Sequence, residues 1–131
     1  MPIVINGSSG MSGDVSFNVS ASFANTVGGW AVSSYNIGTP TASSTVTPSP
    51  WNGNYQYLTN NAAFTLAAPG IDCAIDLLVT NGAAAGTITL SGFTAPSGGG
   101  GDTYATTNTN RYVLMIRRIN SIATYAWKAL Q

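Results

Sequence analysis

The residues that do chemistry in most enzymes are scarce in this chain. It has no histidine and no glutamate, and its only carboxylates are Asp14, Asp72, Asp76 and Asp102. Without an imidazole, neither a Ser-His-Asp nor a Cys-His pairing can be built, and the usual nitrogen ligand of zinc is missing. Asp72 and Asp76 are the one suggestive pair, because four residues apart in a strand puts both on one face. At about 3.3 Å per residue they would stand roughly 13 Å apart. The carboxylates that cleave glycosidic bonds sit about 5 to 9.5 Å apart, so the pair reads as two solvent-facing residues of a half-buried strand. Gly98 to Gly101 lacks the following Lys-Ser/Thr and the helix that a phosphate loop requires. Gly101-Asp102 has no second carboxylate nearby to hold calcium. The expectation is a protein that is not an enzyme, with no catalytic, cofactor-binding or metal-binding residues and no cofactor.

Aromatic side chains are the remaining candidates for contact chemistry. Trp30, Trp51, Tyr55, Tyr57 and Tyr104 lie near turns or loops, where an exposed ring can stack on a sugar. Trp30, Trp51 and Tyr55 are the candidate ligand-stacking residues of this set. The competing reading for each is an anchor in a core or interface, and Trp127, inside an apolar strand, reads as core. Cys73 is the sole cysteine, which excludes an internal disulfide; within the apolar run Ile71 to Val79 it reads as a small buried hydrophobe.

The elements that would carry these residues follow from composition and periodicity. The length of 131 residues suits one domain. Charged residues make up 6% of the chain, against the usual quarter, and Thr, Ser, Asn and Gly take their place. Solvated helices depend on Glu, Lys and Gln, which are nearly absent here, whereas Thr, Val, Tyr and Phe suit pleated strands, so the composition points to an all-β fold. The formal net charge is zero, and the four cations Arg111, Arg117, Arg118 and Lys128 are too few for a phosphate-binding stripe. Neither a nucleic acid nor a membrane is expected as a partner. A near-neutral surface favours self-association. The opening residues show no basic leader followed by an apolar segment, and the expectation is synthesis in the cytoplasm of the host cell.

Val15, Phe17, Val19, Ala21 and Phe23 alternate with polar residues, which is the period of a half-buried strand. Before it, residues 1–13 read as a short apolar arm on a Gly/Ser tether, with Ile3, Val4 and Ile5 as a candidate assembly interface. Trp30 to Ile37 is a further strand, and 38–50 is a Ser/Thr/Pro-rich surface loop crossing between sheets. Tyr55–Thr59 and Ala62–Leu66 flank Asn60-Asn61, a plausible hairpin turn. Ile71–Thr80 and Thr87–Leu90 follow, and the tetraglycine stretch reads as a flexible loop. Arg111 to Leu130 reads as a hairpin about Asn120-Ser121, placing Leu114, Ile116, Tyr125 and Trp127 on the core face and Arg111, Arg117 and Lys128 on the other. Ile122, Tyr125, Ala126, Ala129 and Leu130 also fit a helical stripe, so 121–131 stays open between strand and helix, with strand favoured by Thr-Tyr-Ala-Trp. Eight or nine short strands with frequent turn signals predict a single-domain antiparallel β-sandwich of jelly-roll type.

Three stretches resemble the fibre and decoration proteins of tailed bacteriophages. They are Ile3–Gly10; Tyr55–Leu66; and the set Val79 through Phe93, Thr106–Arg118 and Thr124–Gln131. The resemblance implies a virion component, a homotrimer attached to capsid or tail, with no catalytic residues to transfer. The absence of heptads, sequence repeats and a shaft favours a compact capsid decoration protein over a tail-tip or tail-fibre protein. On that reading its partners are its own copies and the major capsid protein or tail proteins. A carbohydrate-binding adhesive module on host surface glycans is the alternative of another class.

Overall fold

The computed structural model describes residues 34–130, which fall within one unit spanning Val32–Gln131. Eight strands occur among these residues: β1 (Tyr35–Gly38), β2 (Thr45–Val46), β3 (Tyr55–Asn60), β4 (Phe64–Ala67), β5 (Cys73–Asn81), β6 (Ile88–Ser91), β7 (Arg111–Ile119) and β8 (Ile122–Leu130). A single 3-10 turn, Pro50–Asn52, is the one helical element described; the proline at its start has the fixed φ such a turn needs. The fold is all-β.

The strands are dealt alternately into two sheets. β1, β3 and β5 run parallel in a five-stranded sheet completed by β7 and β8, while β2, β4 and β6 run parallel in a three-stranded sheet. The chain therefore coils: each turn lays one strand in the larger sheet, rounds a corner, lays one in the smaller sheet and returns. Tyr35, Gln56 and Leu77 share one cross-strand row, a step of about 21 residues per turn. Thr45, Thr65 and Thr89 stack in the same way in the second sheet, as do Val46, Leu66 and Leu90. Like residues meet like along the coil.

Period-two alternation divides each strand between the inside and the outside. Leu58, Ile75, Leu77, Val79, Leu114, Ile116 and Trp127 from the larger sheet meet Phe64 and Leu66 from the smaller one in one core. The β7–β8 hairpin closes the larger sheet antiparallel to β5. Its turn puts Asn120 and Ser121 at φ 48° and 67°, the double left-handed conformation of a two-residue hairpin turn that asparagine tolerates. Leu114 faces Trp127 and Ile116 faces Tyr125, as expected, with Arg111, Arg117 and Lys128 on the opposite face. The segment left between helix and strand is strand β8.

The antiparallel jelly-roll arrangement expected from the sequence is not the one formed. Antiparallel pairing is confined to β5–β7–β8, and every other pair is parallel. Alternation marks a half-buried strand whichever way its neighbour runs, so it carried no information on direction. Asn60-Asn61 is likewise a corner between sheets and not a hairpin turn, since β3 and β4 belong to different sheets. The 38–50 stretch contains β2, with Pro48 buried.

The tetraglycine stretch is not simply a free loop. Residues 94–102 cover the outer edge of β8: Thr94 N–H donates to Ala123 O, Trp127 N–H to Gly100 O, and Asp102 N–H to Trp127 O. A Cβ on Gly101 would lie 2.3 Å from Trp127 O, so only glycine lets this segment approach the edge strand. Covering that edge removes a template for unwanted strand addition.

Candidate functional site

The outward face of the five-stranded sheet carries the exposed chemistry. Alternation turns Tyr55, Tyr57 and Thr59 of β3 outward, and Ala74, Asp76 and Leu78 of β5 beside them. In register, Tyr55, Asp76 and Met115 share one cross-strand row, and Tyr57, Leu78 and Val113 the next on this face. Tyr55 is 48% exposed and Tyr57 37%. An open groove of about 570 Å³ crosses this face, lined by Tyr55, Tyr57, Asp76, Leu78, Val113 and Leu130. A second hollow of about 300 Å³ has Asn54, Tyr55, Asp76 and Arg117 among its walls. Tyr55 and Asp76 belong to both, so the two hollows adjoin in a trough along this face. Among the described residues the ion pairs are Arg118–Asp72 and Lys128–Asp102, and neither Asp76 nor Arg117 takes part in one.

The inward face of the same strands holds a second polar group. Asn60 and Asn81 end β3 and β5, face each other in register and are buried. Asn60 Nδ2 donates to Gly86 O at 2.7 Å and to the Tyr104 hydroxyl, and its Oδ1 accepts from the Gly86 and Ala62 amides, both at 3.3 Å. Tyr104 Oη donates to Asn81 Oδ1 at 2.6 Å, and Asn81 Nδ2 donates to Ala105 O and Thr107 O at 2.7 and 3.0 Å. Both amides are thus satisfied, which is what burial of a polar group requires. Gly86 lies so close to the preceding corner that a Cβ there would sit 2.0 Å from Ala63 N. Tyr104 packs its ring 4.9 Å from Tyr112 and 5.0 Å from Trp127. Burial raises the Tyr104 phenol above its ordinary value, only partly offset by its bond from Asn60.

Asp72 and Asp76 have separate roles. Asp72 precedes β5 and accepts the backbone N–H groups of Asn120 and Ser121 at 2.8 and 3.3 Å, clamping the β7–β8 turn. Arg118 lies 3.8 Å from its carboxylate and donates to Pro69 O. Asp102 ties the covering segment to β8, accepting from Ala129 N at 2.9 Å with Lys128 at 3.3 Å; the Ala129 bond foremost, and then Lys128, lower its pKa. Cys73 is half-buried and free, its thiol pushed up by burial.

Of the residues singled out in the sequence, Tyr55 lies in the trough, whereas Trp51 does not. Trp51 projects from the 3-10 turn, 87% exposed and outside both hollows. Tyr104 is a packing residue beneath the asparagines and no surface ring. Trp30, Ile3, Val4 and Ile5 lie outside the described residues. Sequence reading underrated Tyr57, Asp76 and Arg117, although the alternation Tyr55-Gln56-Tyr57 already put the two rings on one face. No group of three or more potential metal-ligating side chains occurs among the described residues, and no described helix is long and apolar enough to cross a membrane. No protein-family model matches the chain, and no curated protein or solved structure matches it either.

Proposed function

We propose that this chain is a non-enzymatic structural protein of a tailed-phage particle, a capsid decoration protein that displays its folded body from the particle surface. The observation that carries this reading is the outer face of the five-stranded sheet. It exposes Tyr55, Tyr57, Met115 and Leu130 on a body almost devoid of charge. Exposed apolar surface of this kind marks an interaction face. The described carboxylates Asp72 and Asp102 are engaged in holding loops to strands, and Asp76 stands alone; no pair is set for acid–base work. The resemblance of its strand stretches to phage decoration and fibre proteins supplies the setting.

On this reading the first ten residues anchor the protein, Ile3 and Ile5 adding to a sheet edge of a neighbouring subunit, and copies associate as a homotrimer. Quantitative mass spectrometry of purified particles tests it. Hundreds of copies per particle are expected, scaling with the major capsid protein. A few dozen or fewer would place the protein in the tail, and absence from particles would overturn the virion reading. Deleting residues 1–10 should abolish particle binding while preserving the fold, and light scattering of the purified chain should give the mass of a trimer.

A further inference from the structure

We propose that the trough formed by Tyr55, Tyr57, Asp76 and Arg117 binds a neutral oligosaccharide. This inference is independent of the virion reading. Its first support is shape: the face is not flat but carries two adjoining hollows of about 570 and 300 Å³ that share Tyr55 and Asp76 as walls. Its second is the arrangement of rings. Tyr55 and Tyr57 project from one face of β3, two residues and so about 7 Å apart, each with much of its ring exposed. Aromatic rings so placed offer an apolar face and a hydroxyl edge together. Leu78 and Val113 line the groove beside them, suiting the C–H faces of pyranose rings.

The polar groups decide the ligand class. Asp76 sits opposite Met115 and Arg117 opposite Ala74, so the two are diagonal neighbours across the β5–β7 pair, their backbones about 7–8 Å apart or less. Neither has an ion-pair partner among the described residues. A carboxylate only accepts hydrogen bonds and a guanidinium only donates them. Two neighbouring sugar hydroxyls answer both, one donating to Asp76 and the other accepting from Arg117. The charges cancel within the trough, which favours a neutral sugar over a polyanion. Arg111 lies in the row of Thr80 and Leu130, outside the walls of both hollows. Trp51 takes no part.

The test is titration of the full-length protein with maltohexaose, cellohexaose and chitohexaose, backed by an array of neutral and acidic glycans. Binding to at least one neutral oligosaccharide is expected. Tyr57→Ala and Tyr55→Ala should each weaken it by about tenfold or more, as loss of a central aromatic anchor does. D76N should weaken it less, and all three variants should keep the wild-type circular dichroism and melting temperature. Silence of every neutral glycan, binding confined to acidic glycans, or binding unchanged in both tyrosine variants would each overturn the proposal. Loss of particle attachment in these variants, with no sugar bound by the wild type, would make the face a protein interface. Copy number and the 1–10 deletion test the virion reading separately, so either idea can fail alone.

Discussion

β3 and β5 present polar groups on both faces, and the two faces treat them in opposite ways. Inward, Asn60, Asn81 and Tyr104 form a closed network in which each amide and the phenol has its partners. Outward, Asp76 and Arg117 lie beside exposed tyrosines without ion-pair partners among the described residues. A satisfied buried network has nothing left to offer a ligand, and its worth is in fixing which strand lies beside which. Exposed groups cost little to leave open, because water solvates them until something better arrives. The same alternation that builds the coil thus separates what holds the body together from what can meet another molecule.

This contrast makes its largest prediction inside. Asn60→Ala leaves Gly86 C=O and N–H without their side-chain partner in a half-buried corner, and opens a small void where Asn60 was buried. The orphaned groups and the void cost about 3 kcal/mol together, or roughly 15 °C in melting temperature for a body of this size. Thermal denaturation checks it, and a loss as small as that of a surface substitution would break the comparison. Gly86→Ala follows at about 2 kcal/mol, because the added Cβ meets backbone at 2.0 Å and backbone cannot swing away as a side chain can.

The network also marks where the sequence was legible and where it was not. The β7–β8 hairpin was the most legible pairing, since an Asn-Ser turn and two alternating runs specify a pairing between chain neighbours, although a helical stripe from Ile122 to Leu130 left its second strand open. The coil was not, because its pairings join residues about 21 apart and the sequence likeness between turns is slight. Yet the likeness exists: Tyr57-Leu58-Thr59-Asn60 aligns with Leu78-Val79-Thr80-Asn81, and Phe64-Thr65-Leu66 with Ile88-Thr89-Leu90. Two asparagines, each closing an apolar alternation one turn apart, were the signal for parallel stacking. They looked instead like turn residues, which is what asparagine usually is. In the trough, Tyr55 was legible from its position, but the joining of Asp76 and Arg117 to it depends on register across three strands.

A smaller effect is expected at Tyr104. Tyr104→Phe keeps the ring against Tyr112 and Trp127 but removes the hydroxyl that joins the two asparagines, which costs about 1 to 1.5 kcal/mol. The same hydroxyl sets a pH dependence. Its folded pKa is raised, mainly by burial, so between the unfolded and folded values the native state holds a proton that the unfolded chain has released. Its contribution to stability is therefore complete below the unfolded phenol value near 10 and is lost as pH rises above it. Denaturant melts from pH 8 to 11 should show that loss in the wild type and a shallower one in Tyr104→Phe. Equal slopes would remove Tyr104 as the source.

The smallest stability effect belongs to the outer face, and there the comparison is sharpest. Tyr57 stands one residue from Leu58, which is buried, and three from Asn60, yet its own side chain is turned to solvent. Tyr57→Ala should shift stability by no more than about 0.5 kcal/mol, the range of surface substitutions away from caps and cores. A melting temperature within a few degrees of wild type, beside the large loss in Asn60→Ala, would show that one strand carries its stability on one face only. A large loss in Tyr57→Ala would mean that the outer tyrosines are part of the packing. They would then be poorly placed to release their rings to a ligand, and the trough would lose its claim as a binding site. The strand's two faces can be told apart by this pair of substitutions because they differ in partner satisfaction and not in sequence distance.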